Sequence, residues 1–131
     1  MELTHSYHSV FSLNYHLVLV VAYRRAVLTE RVLKRCLEIA GDIAGDFNAA
    51  VVEANGEKDH IHILLSAPPD FNLCRMINSL KTVTSRRLKK EFPEIRKKLW
   101  KEKFWTPSYF VATSGGAPLE VIKKYIEEQG V

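Results

Sequence analysis

Apolar positions change their period along this chain, and the changes mark out its elements. From Ser12 to Arg25 the run "SLNYHLVLVVAYRR" is dense in β-branched and aromatic residues and predicts a long first strand. Between Thr29 and Phe47 the apolar positions Val32, Cys36, Ala40, Ile43 and Phe47 recur at steps of three or four, the repeat of a helix face, with Thr29 as its N-cap. "NAAVVEA", Asn48 to Ala54, predicts a second strand. Asn55-Gly56 then supplies the positive φ angles of a tight turn into a third strand, so the two form an antiparallel hairpin. After Pro68-Pro69 a helix starting near Asp70 buries Leu73, Met76, Ile77, Leu80, Thr84 and Leu88. It leaves Lys81, Arg86, Lys89 and Lys90 for solvent or a ligand, and stops before Pro93. A short helical piece, Glu94 to Trp100, leads to a fourth strand near Pro107 to Thr113. Gly115-Gly116 interrupts before a last helix, Pro118 to Gln129.

The order is β-α-β-β-α-β-α, with no internal repeat and no low-complexity segment, so residues 1–131 are expected to form a single domain. Two βαβ halves predict an α+β fold, a ferredoxin-like antiparallel sheet with helices on one face. The first and third strands are then central, and the sheet keeps one face for a ligand. The last helix is an addition to that frame.

The third strand, in "KDHIHILLS", carries the first sign of chemistry. Side chains alternate along a strand, so Ile61, Ile63 and Leu65 share one face while His60, His62, Leu64 and Ser66 share the other. A lone strand histidine is usually structural, but two on one face, with ring nitrogens able to converge, look like half a metal site. In the last helix Tyr125 and Gln129 stand four residues apart and project from one face, anchored a turn earlier by Val121 and Ile122. A tyrosine beside a metal is a recognisable nucleophile, although an arbitrary helical tyrosine more often sits at the edge of a core.

Composition narrows the class. The chain is 47% hydrophobic and 26% charged, ordinary for a folded domain. Its longest apolar run, Leu17 to Tyr23, is too short to span a bilayer, and "MELTHSYHS" lacks the features of a signal peptide, so a cytoplasmic location without membrane contact is expected. Cys36 and Cys74 fall on apolar helix faces without CxxC spacing and read as reduced core residues. Net charge is +4, but Arg75 to Lys103 alone holds 11 Lys and Arg against 3 Asp and Glu, a local balance of +8. Such a run is often a solvated helix face. Here it ends in "WKEKFWTPSYF", where Trp100, Phe104, Trp105, Tyr109 and Phe110 interleave with cations, a composition that suits a phosphate backbone with unpaired bases beside it. Core packing is the competing reading for those rings.

The histidine pair and the later helical tyrosine together resemble the HUH endonuclease superfamily. Four blocks, "HSVFSLNYHLVLVVAYRRAVL", "DHIHILLSAPP", "SLKTVTSRRLKKEFP" and "FWTPSYFVATSGGAPLEVIKKYIEEQ", are similar to one branch, the single-tyrosine transposases of small bacterial and archaeal insertion sequences, the insertion-sequence 200-like family. The resemblance runs from about His8 to Gln129. It implies that His60, His62 and Gln129 hold a divalent ion, Mg²⁺ or Mn²⁺, and that Tyr125 attacks DNA to give a 5′-phosphotyrosine and a free 3′-hydroxyl. The implied substrate is single-stranded DNA with hairpins at the element's ends, cleaved and rejoined by a homodimer. Whether Tyr125 serves its own chain's histidines or a partner's is open. Charge, rather than motif, puts DNA contacts at Arg24, Arg25, Lys81, Arg86, Arg87, Lys89 and Lys90. The alternatives are a nicking enzyme of plasmid or phage replication, with the same chemistry, or a ferredoxin-like nucleic-acid binding module with none.

Overall fold

The computed structural model describes residues 4–5, 10–11, 13–113 and 119–130. Its frame is a four-stranded antiparallel sheet built from β1 (Leu13–Val20), β2 (Ala50–Glu57), β3 (His60–Ala67) and β4 (Phe110–Thr113), in the spatial order β2-β3-β1-β4. Both central strands are the predicted ones, and the order is that of the ferredoxin-like arrangement. Thr4–His5 pairs separately with Val10–Phe11. Helices α1 (Glu30–Asp46) and α2 (Leu73–Glu91) cover one face, where Leu17, Leu19, Ile61, Ile63 and Leu65 meet Ile39, Met76, Ile77 and Leu80 in the main core. α3 (Leu119–Glu128) lies against the other face, on Val18 and Val20 of β1. Among the described residues no helix is long and apolar enough to cross a membrane.

Local signals set the helix starts. Thr29 caps α1, its side chain accepting from the Val32 amide, and Asn72 caps α2 in the same way toward the Arg75 amide. α2 therefore begins at Leu73, later than the Asp70 start expected, because Asn72 offers a cap acceptor. The first strand ends at Val20 instead of continuing to Arg25, since Tyr23 and Arg24 adopt left-handed φ values of 57° and 52° and bend the chain out of the sheet. The segment expected as one helical piece from Glu94 to Trp100 is two short 3-10 turns, Pro93–Lys97 and Trp100–Glu102. Pro118 and Gly115-Gly116 lie outside the described residues.

Two further expectations are corrected. Asn55-Gly56 is not the hairpin turn: both residues lie inside β2, facing His62 and Ile61 of β3, and the chain reverses at Lys58-Asp59. The same strand carries a register shift between Val51 and Glu53. Gly56 is glycine for a packing reason, because a Cβ there would stand 2.6 Å from the His60 carbonyl oxygen and 3.0 Å from Leu33 Cδ1. Cys74 is exposed rather than in the core, its thiol 3.8 Å from the Tyr109 hydroxyl, because the buried stripe of α2 runs through Met76, Ile77, Leu80, Thr84 and Leu88. Cys36 is buried as expected, and burial pushes its thiol pKa up to about 12.

Gly56→Ala is expected to destabilise the fold by about 1–3 kcal/mol, because backbone and not a flexible side chain must give way. Gly41→Ala in α1 meets nothing within 4 Å and is expected to stabilise by about 0.5–1 kcal/mol. Denaturant unfolding of both variants checks the contrast; equal effects would refute the packing account of Gly56.

Candidate active site

The sheet face opposite α1 and α2 carries the histidine pair and, packed on it, the helix of Tyr125. His60 opens β3 and is paired with Val20 of β1; His62 is paired with Val18. Antiparallel register thus seats both histidines beside the valines on which α3 packs.

His60 is held by the turn before it. Its Nδ1 donates to Asp59 Oδ1 at 2.8 Å, and Arg24 Nε donates to Asp59 Oδ2 at 2.9 Å. Burial alone would raise the Asp59 pKa, but the hydrogen bonds from His60 and Arg24, with their charges, hold it below the ordinary value. With Nδ1 engaged, His60 keeps Nε2 for a ligand, the arrangement by which a carboxylate orients a metal-binding imidazole. Among the described residues, Glu57, Asp59 and His60 bring ligand atoms within 4.8 Å of one another. Both Asp59 oxygens are already engaged, so its part is to orient His60.

His62 turns elsewhere. Its Nε2 lies 3.3 Å from His16 Nδ1, and the two rings, 5.5 Å apart, border a small recess with Glu53, Asn55 and Leu64. Burial first, then the neighbouring His16, push the His62 pKa down; Glu53 opposes the shift and His60 adds to it.

α3 brings Tyr125, and the turn at its end brings Gln129. Ile122 is buried against Val18 and Val20, with Phe110, Tyr125 and Ile126 packed around it; Val121, expected as an anchor, is exposed instead. The Tyr125 ring stands 5.6 Å from that of Phe110 on β4. Its hydroxyl is 2.8 Å from Ser108 Oγ, and Ser108 Oγ donates to Gln129 Oε1 at 3.2 Å. A serine hydroxyl has one proton, so with that proton on Gln129 the Tyr125 hydroxyl donates to Ser108. The end of α3 also abuts the Asp59 cluster, since a Cβ at Gly130 would come within 2.7 Å of Arg24 Cδ. Tyr125 and Gln129 are thereby bridged to one another, and contact through Arg24 and Asp59 links their helix to His60.

The cations chosen by charge divide into groups. Arg24 is committed to Asp59, while Arg25 is exposed. Lys81 Nζ donates to the Thr106 and Pro107 carbonyls at 2.7 and 3.1 Å, and burial lowers its pKa; it braces the segment that carries Ser108. Arg86, Arg87 and Lys90 line a surface recess with Glu91, and Lys89 lies on the flank of α2 nearer Lys81 and Trp105. α2 packs on the sheet face opposite the histidines, so these last four do not reach them. Sequence reasoning missed Ser108, Asp59 and His16. The Asp59 signal was its place immediately before His60, and the signal for His16 was its two-residue spacing from Val18 on the same strand face.

Asp59→Asn is expected to weaken Mn²⁺ binding at His60 about 10- to 100-fold while leaving Tyr125 in place, because an amide holds the His60 ring and Arg24 less firmly than a carboxylate. Titration of the variant with Mn²⁺ checks this, and unchanged affinity would remove Asp59 from the site.

Comparison with known proteins bears on the family and the fold. A family model described as transposase, IS200-like, matches residues 9–129. The chain is 36% identical over 120 residues to the ISDra2 transposase TnpA of Deinococcus radiodurans, covering 92% of this chain and 86% of that one. It is 29% identical over 122 residues to the transposase for insertion sequence element IS200 of Salmonella typhimurium, covering 93% and 80%. A crystal structure at 1.90 Å of a Deinococcus radiodurans protein assigned as a transposase superposes with a TM-score of 0.85 at 29% identity, covering 96% of this chain and 97% of that chain. A REP-associated tyrosine transposase bound to a REP hairpin shares the fold, with a TM-score of 0.54 at 13% identity, covering 97% and 69%.

Proposed function

Because the chain belongs to the IS200-like transposase family, we propose that it cleaves and rejoins single-stranded DNA at the ends of an insertion sequence, with Tyr125 as the nucleophile. The observation that carries this reading is the Tyr125–Ser108–Gln129 hydrogen-bond chain on a helix packed over the strand pair that bears His60 and His62. A neutral phenol is a poor nucleophile unless its proton has somewhere to go. Ser108 orients the phenol by accepting its hydrogen bond; the proton itself passes to solvent on attack and is balanced by the one that the departing 3′ oxygen takes up. Attack by Tyr125 Oη forms a phosphorus–oxygen bond to the scissile phosphate and breaks the bond to the 3′ oxygen. The 3′ oxygen leaves as a hydroxyl once protonated, and Tyr125 retains the 5′ phosphate. One phosphodiester replaces another, so attack by a different 3′-hydroxyl reverses the step and joins a new end without an energy source.

The donor set fits a divalent cation: His60 has Nε2 free, His62 shares its face, and Gln129 presents an amide oxygen. Mg²⁺ or Mn²⁺ held by His60, His62 and Gln129 would supply positive charge against the scissile phosphate. His62 joins that set either through Nδ1 or by releasing His16. Hairpin DNA is the proposed substrate, a reading supported by the fold shared with the hairpin-bound transposase. The reading treats residues 1–131 as one catalytic domain acting as a homodimer, for which β4 offers an edge strand.

Incubation with single-stranded DNA from the flanks of its own gene and Mg²⁺ tests the proposal, with denaturing electrophoresis as the readout. A covalent protein–DNA adduct that chases into joined product on adding a second 3′ end is expected. Binding without any adduct would leave a nucleic-acid binding module, and an adduct that never joins would leave a nicking enzyme.

A further inference from the structure

The catalytic reading leaves a pair of exposed rings unused. Of the aromatics near the basic segment's end, Phe104 and Trp105 are buried, and the Trp105 indole donates to Thr84 Oγ1 at 2.9 Å. Trp100 is 40% exposed and meets a ring from a distant part of the chain, Tyr23, itself 46% exposed; their centroids are 5.1 Å apart and the planes 68° from parallel. Solvent faces of this size on two neighbouring rings are not explained by core packing.

The backbone that presents them is unusual. Tyr23 and Arg24 have φ values of 57° and 52°, and Lys101 and Glu102, beside Trp100, have 50° and 57°. Left-handed backbone is costly for such residues and persists only where the surroundings hold it. Here the two bends are tied together: Val21 bridges Trp105, the Ala22 amide donates to the Phe104 carbonyl at 2.8 Å, and the Thr106 amide donates to the Val20 carbonyl at 2.9 Å. The rings are therefore displayed by a braced pair of turns and not by a loose loop.

Charge and position indicate an occupant. Lys101 Nζ stands 4.4 Å and Lys103 Nζ 5.9 Å from the Trp100 centroid. Lys103 and Tyr23 also line one cavity with Gln129, so the platform is continuous with the Gln129 end of the catalytic helix. We propose that Tyr23 and Trp100 form a stacking subsite for an unpaired base of single-stranded DNA, with Lys101 and Lys103 on its phosphates, next to the scissile position. The inference rests on the reading of the chain as an enzyme of single-stranded DNA. Base-on-ring stacking is stronger than an exposed cation–π contact, so a base displaces Lys101 from the Trp100 face and frees its ammonium for the backbone. A second copy of the chain suits the surface poorly, because a self-complementary contact would bring Lys101 and Lys103 toward their own copies.

The test uses the full chain and fluorescence anisotropy at one salt concentration. The probes are an oligothymidine of about 12 nucleotides, the same strand with abasic sites in place of every base, and a duplex of equal length. Trp100→Ala is expected to weaken oligothymidine binding about tenfold and to leave the abasic strand and the duplex unchanged. Trp100→Leu, which keeps apolar bulk without a π face, is expected to behave likewise, and Trp100→Phe to recover most of the affinity. Wild-type affinity in both Trp100→Ala and Trp100→Leu, or an equal loss on all three probes, would overturn the subsite. So would a changed sedimentation state with unchanged DNA binding, which would make the patch a contact between chains. Adduct formation is scored separately, so ring-dependent binding by a wild-type chain that forms no adduct supports the subsite and refutes the catalytic reading.

Discussion

Tyr125→Phe is expected to abolish the covalent protein–DNA adduct, with residual cleavage at the detection limit, while the fold and DNA binding stay close to wild type. The substitution removes only an oxygen. The ring keeps its contact with Phe110 and its place beside Ile122 on Val18 and Val20, and the lost hydrogen bond to Ser108 is worth about 1 kcal/mol or less. Chemistry and stability therefore separate at one atom. Denaturing electrophoresis after incubation with labelled single-stranded DNA reads the first, and thermal unfolding the second. An adduct that survives in Tyr125→Phe would move the nucleophile elsewhere, with Tyr109 the next tyrosine to try.

The second large effect is expected at the histidine pair. His60→Ala and His62→Ala should each lower metal-dependent cleavage by at least about 100-fold, a loss larger than that from an orienting residue such as Asp59. Oligonucleotide binding in the absence of metal should fall far less, because the phosphate backbone dominates affinity and the basic side chains are untouched. Removing divalent ions with a chelator should reproduce the histidine phenotype in the wild-type chain and add nothing to His60→Ala. Cleavage that survives both substitutions in Mg²⁺ would make the pair structural, a role compatible with the His16–His62 contact.

The sequence made some of this legible and hid the rest for identifiable reasons. Period-2 alternation in "HIHILL" was enough to sort Ile61, Ile63 and Leu65 into the core and the histidines onto the other face, because a one-residue slip would have exchanged the two sets. The helix faces of α1 and α2 were readable from spacing, and the start of α1 from its Thr29 cap, while the Asn72 cap that starts α2 was missed. The turn between β2 and β3 was not, since Asn55-Gly56 carries a strong local turn signal that the longer strand pairing overrides. Cys74 was misplaced because small apolar residues at a helix's first turn fit the core stripe and its edge equally well. Ser108 and His16 came into view through tertiary contact, and Asp59 through a neighbour whose adjacency in sequence had been passed over. Their partners lie 17, 46 and 1 residues away, and only the Asp59–His60 pair is adjacent in sequence. Charge was the least informative signal. It selected Arg24 and Lys81 as DNA ligands, whereas the fold pairs the first with Asp59 and uses the second to brace the Ser108 segment.

Mass spectrometry of the trapped complex tests the central claim most directly. Single-stranded DNA is incubated with the chain and Mg²⁺, the adduct is digested with nuclease and protease, and the modified peptide is sequenced. The account predicts a nucleotide joined through its 5′ phosphate to the Tyr125 oxygen, in a peptide from α3. A nucleotide on any other residue, or a linkage through a 3′ phosphate, would contradict it.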